Sequence, residues 1–279
     1  MPRRRLTPPV APVVLVGSKL LRLVYFDEAG IGNIRHEPIL TVGAVIVHAD
    51  DLLVPIEREL NRIVRKHIPQ EYWPTFVFHA TNLFNWGGKV FTKNNPDWPI
   101  SRRLEIAAEL PAIPANYDIP LTVGICDRTK FPSDQTLASN MSDREITIAA
   151  HVATFFHCAI KVEHWMRIHA DDEVCMLIVE DNSDARRYIK AAQDYRNRDF
   201  VIPLMSDKEK SYFPFQHIKE DPAFQEKAPG SILQIADFWT YIAKRIVMNP
   251  IHRVYRPLFD LMRGQIWEPY SLVSWALGE

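Results

Sequence analysis

Three carboxylate positions interrupt stretches that are otherwise apolar. Asp27, followed at once by Glu28, closes "LRLVYFD"; Asp181, preceded by Glu180, closes "CMLIVED"; Asp237 lies inside "ILQIADFWTYIA". An isolated buried carboxylate is costly unless it is paired or bound to a cation. Acids at the ends of two core strands and on a helix facing them can converge on one point. Hard oxygen donors of that kind suit Mg²⁺ or Mn²⁺. The chemistry of such a centre is hydrolysis, with water activated and a leaving oxygen stabilised. Each acid also has a structural reading. Asp181-Asn182-Ser183 suits a helix cap, and Asp237 has Lys244 and Arg245 within reach along a helix.

The elements that must position these acids follow from periodicity. The β-branched and aromatic runs 20–28 and 39–47, separated by a loop with Gly, Asn and Pro, predict an antiparallel pair. Alternation along the first run puts Asp27 on the face of Leu23 and Tyr25, and Glu28 on that of Val24 and Phe26. Residues 50–67 predict an amphipathic helix with Leu52, Leu53, Ile56, Leu60, Ile63 and Val64 on one face. Residues 68–100 form a Pro/Trp-rich insertion with a short strand candidate at "TFVFHA" (75–80). A helix at 101–110 and a strand at 119–127 follow. The segment 142–169 predicts a long helix, apolar round much of its circumference. The run 173–182 holds six consecutive apolar residues, as in a strand covered on both faces. A basic helix is expected from about 183, an irregular or edge segment over 199–229, and a last helix over 230–248. This pattern predicts one α/β domain over 19–279, a mixed β-sheet flanked by helices, behind a flexible basic Pro-rich tail at 1–18.

Composition narrows the partners. The 279 residues carry a formal net charge of -1, so no global basic field attracts nucleic acid indiscriminately. Local patches remain. Arg186, Arg187, Lys190, Arg196 and Arg198 follow the Asp181 strand, and Lys244 and Arg245 follow Asp237. Two basic segments beside an acidic site are what a DNA or RNA phosphodiester needs, although charged faces are commonly just solvated. Trp73, Trp86 and Trp98 offer base-stacking surfaces or, more commonly, loop packing. Cys126, Cys158 and Cys175 sit in apolar surroundings and read as free thiols in a reducing compartment. Prolines interrupt the apolar start, and no uninterrupted apolar run reaches the ~18 residues of a membrane span. The expectation is a cytoplasmic protein without a membrane partner. The histidines at 151, 157, 164 and 169 form no His-Glu-x-x-His pair, and a P-loop and a Gly-x-Ser-x-Gly elbow are absent from the sequence.

Four segments occur in order: "VYFDEAG", "FHATNLFNWGGKVF" (78–91), "LIVEDN" (177–182) and "SILQIADFWTYIAKR" (231–245). Together they resemble the family called domain of unknown function 3800, over roughly residues 21 to 250. The resemblance implies an RNase H-like fold and a metal-dependent nuclease of phage or mobile-element defence. It puts Asp27 and Glu28 on the opening acidic pair, His79 on the family histidine, Asp181 on the central-strand acid and Asp237 on the helix acid. In that reading Asp27, Asp181 and Asp237 hold the metal, and Glu28 is a further ligand or acceptor. His79 acts as general acid/base or orients the scissile phosphate. Two positions depart from the pattern: Ala29 stands where serine is usual, and Val77 where Glu is frequent. These departures favour the alternative, an inactive RNase H-like protein that binds nucleic acid or a partner.

Overall fold

Strand β1 (Leu21–Ala29) starts at the surface and buries Val24, Tyr25, Phe26 and Asp27 in succession, so both of its faces are covered. The computed structural model describes residues 21–92, 95–130, 142–181, 189 and 207–267. The tail at 1–18 and, apart from Ile189, the expected basic helix therefore lie outside the described residues. After β1 come β2 (Ile39–His48), α1 (Ala49–His67), α2 (Ala80–Asn85), α3 (Ile100–Glu109) and α4 (Ala112–Asn116). The chain continues through β3 (Leu121–Asp127), α5 (Asp143–His169), β4 (Val174–Glu180) and α6 (Asp207–Lys210). It ends, among the described residues, with β5 (Ala223–Gln225), α7 (Leu233–Met248) and α8 (Tyr255–Met262).

The five strands form one mixed sheet in the order β3-β2-β1-β4-β5. β2 runs antiparallel to both β1 and β3, whereas β1, β4 and β5 are mutually parallel. Helices cover both faces. On one face Tyr25, Val45, Val47 and Ile178 pack with α1 and α7 through Ile56, Leu60, Ile235 and Trp239. On the other, Val24, Phe26, Ala44 and Ile46 pack with α5 through Phe155, Cys158, Ala159 and Val162. Strand alternation thus sends neighbouring residues into two separate apolar layers.

Local chemistry sets the helix ends. The His48 ring accepts from the Asp51 N–H at the start of α1. Asp50 and Asp51 in the first turn and Arg65, Lys66 and His67 in the last complement the helix dipole. Ser142 and Glu145 form a reciprocal capping box at the start of α5. The stretch Glu145–His169 is long and apolar enough to cross a membrane by length and composition, but 67% of its most apolar window is buried within the protein.

Helix α7 lies close against the sheet. Gly43 of β2 pairs with Asp27 of β1, and a Cβ there would come 2.2 Å from Thr240 Oγ1. The Thr240 hydroxyl bonds the Ala236 carbonyl at 2.7 Å and reaches the Asp27 carbonyl at 3.3 Å. Trp239 Nε1 donates to the Thr122 carbonyl at 2.7 Å.

The expected strand at 75–80 does not form. Residues 76–79 take no regular secondary structure and join no ladder, and the Phe78 N–H donates instead to Gln234 Oε1 at 2.7 Å. The aromatic alternation there serves burial, with Phe76 and Phe78 packed edge to face at 4.9 Å. The Pro/Trp-rich segment is no appendage, since Phe76, Phe78, Phe91 and Trp98 belong to the α1/α7 layer of the core.

Candidate functional site

Asp27 sits at the end of β1 on the α7 side and is only 2% exposed. In the parallel β1–β4 register Phe26 faces Val179, which brings the next pair of residues, Asp27 and Glu180, to the same sheet end. Glu180 shares the alternation of Ile178 and therefore the face of Asp27. α7 crosses above and adds Asp237. β5 then pairs Gln225 with Glu180, so the following chain passes over the acids and delivers Lys227.

The three carboxylates are organised around that lysine. Lys227 Nζ lies 2.7 Å from Asp27 Oδ2, 3.0 Å from Glu180 Oε2 and 3.1 Å from Asp237 Oδ2. Asp27 Oδ2 is buried, and the Lys227 ammonium is the charge that meets it. The other oxygen, Oδ1, accepts from the Glu28 N–H at 2.7 Å. Asp237 Oδ2 also accepts from the Ala80 N–H at 3.3 Å and stands 3.4 Å from His79 Nδ1. Glu28, His79, Thr81 and Tyr241 line the same cleft, whose volume is about 290 Å³.

Electrostatics separates the two aspartates. Burial raises the Asp27 carboxyl well above its ordinary value; Lys227 opposes this, while Asp237, Glu180 and Glu28 add to it. Burial acts in the same direction on Asp237, but the hydrogen bond with His79 and the charge of Lys227 hold its carboxyl below the ordinary value. For Lys227 burial favours the neutral amine, and the carboxylates of Asp27, Asp237 and Glu180 outweigh it, so the ammonium is retained. Asp27, Glu28, Glu180 and Asp237 lie close enough to raise one another's cost of ionisation around Lys227.

Carboxylate oxygens are donors of the kind a hard divalent cation takes, and Asp27, Glu180 and Asp237, on three rigid elements, are the residues that could hold one. Among the described residues no three His, Cys, Asp or Glu side chains form a ready-made cage. The acids instead close on the ammonium.

The residues expected from sequence are distributed as follows. Asp27, Glu28, His79 and Asp237 meet at the cleft, whereas Asp181 does not line it. Alternation turns Asp181 to the opposite face, and its N–H pairs with the Gln225 carbonyl at 2.9 Å. Glu180 takes the place expected for it. Parity along "LIVED" puts Glu180 and Asp181 on opposite faces, and the register of β4 against β1 decides that Glu180 shares the α7 face with Asp27. Lys227 has no sequence signal, since a loop crossing brings it in. Asp237 is paired with Lys227 and His79 rather than with Lys244 or Arg245.

Of the basic residues, Lys244 lines the cleft, but its side chain is 4% exposed and its ammonium is bonded to Glu37 Oε1 at 2.6 Å. Arg245 lies over the Tyr241 ring and donates to its hydroxyl at 2.8 Å. Arg186, Arg187, Lys190, Arg196 and Arg198 lie outside the described residues. Trp98 is buried against Phe91, and Trp73 Nε1 is bonded to the Ile68 carbonyl. Burial lowers the pKa of His151 to about 4 and of His157 to about 3, which favours the neutral ring in both; His151 is buried and His157 half-buried.

Comparison of the chain with protein-family models, curated proteins and solved structures gives no match.

Proposed function

We propose that this chain is an RNase H-like, metal-dependent nuclease that hydrolyses phosphodiester bonds of DNA or RNA with Mg²⁺ or Mn²⁺. One observation carries the reading. The carboxylates of Asp27, Glu180 and Asp237 converge within 3.1 Å of a single cationic position, at the carboxyl ends of two adjacent parallel strands. Open α/β sheets characteristically bind ligands there. The sheet order, with β2 alone reversed, supports the RNase H-like reading, as does the resemblance to the domain of unknown function 3800 family. A role in phage or mobile-element defence follows from that resemblance.

In this reading Asp27, Glu180 and Asp237 hold the cation, with Glu180 in the role sequence reasoning gave to Asp181. A bound divalent ion would supply Lewis acidity and lower the pKa of water. The chain's own residues do the rest. Asp237 engages His79 Nδ1 and so leaves Nε2 to exchange a proton with the leaving oxygen. Glu28, beside Asp27 in the cleft, is placed to accept from an attacking water. A second reading, an inactive binding scaffold, is favoured by Lys227, which already supplies a cation to all three acids.

The test is cleavage of single- and double-stranded DNA and RNA by purified protein with Mg²⁺, Mn²⁺ or chelator. Cleavage should require metal and fall at least ~100-fold in Asp27→Asn, which removes a metal-holding charge. Equal rates in variant and wild type, or indifference to chelator, would end the nuclease reading.

A further inference from the structure

We propose that Lys227 is a tethered competitor for the divalent cation: its ammonium holds the position where Asp27, Glu180 and Asp237 converge, and metal enters by displacing it. The inference rests on the metal reading of this site. The anions sit on rigid elements, the ends of β1 and β4 and the body of α7. The cation sits on a loop whose neighbours Glu226, Ala228 and Pro229 are exposed. The backbone just beyond is fixed, since the Ala228 carbonyl accepts from the Ser231 N–H and from Gln234 Nε2. Exchange is therefore a swing of the four-carbon side chain and needs no movement of the core.

The ammonium is an imperfect occupant. Its single positive charge faces three carboxylates, whose oxygens lie 2.7, 3.0 and 3.1 Å away. A divalent ion carries twice the charge and accepts several oxygens without directional donors, so it compensates three carboxylates more completely than one ammonium does. The lysine in turn spares the metal-free protein three uncompensated acids. Its hold lowers apparent metal affinity by the fraction of molecules in which the position is open.

The test uses the full chain and Mn²⁺ alone as probe. Calorimetric titration of wild type and Lys227→Met should give at least about tenfold tighter Mn²⁺ binding in the variant. In wild type, the amine of Lys227 should react faster with an acetylating reagent when Mn²⁺ is present, read by peptide mass spectrometry. Equal or weaker binding in Lys227→Met, with wild type still binding Mn²⁺, would overturn the competitor role and leave the metal reading standing. Mn²⁺ bound by neither protein would overturn both. Should the variant fail to fold, the labelling decides alone: unchanged or slower acetylation with Mn²⁺ bound refutes displacement.

Discussion

Gly43 stands directly opposite Asp27 in the β1–β2 ladder, and the missing side chain lets α7 approach the acid. An added methyl would lie 2.2 Å from Thr240 Oγ1 and 2.9 Å from the Trp239 ring, so α7 must shift. Overpacking of this kind costs about 1–3 kcal/mol. Gly43→Ala should lower the urea midpoint accordingly and shrink any Mn²⁺-induced rise in melting temperature, as Asp237 moves away from Asp27. A wild-type midpoint would refute the close approach.

Asp27 and Asp237 share one lysine but respond oppositely to replacement. The carboxyl of Asp27 is raised, so its ionised form is disfavoured by folding, and stability falls as pH rises from the unfolded value toward the folded one. The carboxyl of Asp237 is lowered, so its contribution is full above the unfolded value of 3.8 and is lost on acidification. In metal-free protein at neutral pH, Asp27→Asn should leave stability unchanged or raised, and Asp237→Asn should lower it. Chemical denaturation in chelator reads both. The reverse order would show that the repulsion lies on Asp237.

Glu163 gives a pH test away from the cleft. It is fully buried on α5 and accepts from the Gln216 N–H, from Arg167 Nε and from the His217 N–H; its ion pair is with Arg167, and His217 Nδ1 lies 3.1 Å away. Burial favours the neutral acid, and these donors outweigh it, holding the carboxyl below 4.5. The stabilisation is present above that value and lost as pH falls through the folded pKa. Glu163→Gln should cost about 3 kcal/mol at pH 7 and flatten the stability profile on the acid side. A variant profile parallel to wild type would exclude this role.

The basic segment after β4 is tested through salt. If Arg186, Arg187, Arg196 and Arg198 contact phosphates, the quadruple alanine variant should bind nucleic acid more weakly across sequences. The slope of log affinity against log salt should fall by about 0.9 per lost contact with duplex DNA. An unchanged slope would return these arginines to a solvated surface.

Much of the fold was legible because it rests on local patterns. The helices 49–67 and 143–169 and strands 21–29, 39–48 and 174–180 announce themselves by apolar period. The segment 75–80 misled because an aromatic alternation records burial, whichever partner the backbone takes. At the site, the aspartates 27 and 237 stand out as acids in apolar runs. Choosing between Glu180 and Asp181 needed the register of β1 against β4, which one strand alone does not contain. Lys227 was illegible for a deeper reason. Its position depends on the path of a loop after a three-residue edge strand, and loop path leaves no period in the sequence.

The hydroxyl of Thr240 reaches the carbonyl of Asp27 across 213 residues of chain. Closing so long a loop is entropically unfavourable, and contacts of this range form late in folding. On a ribosome adding about 5–20 residues per second, roughly ten to forty seconds separate synthesis of the first acid from that of Lys227 and α7. Through that interval a nascent chain can assemble β1, β2 and β3 with Asp27 still bathed in water. The acid becomes buried only when the segment that neutralises it arrives. A chain released before residue 227 would carry Asp27 and Glu180 without the lysine that faces them both.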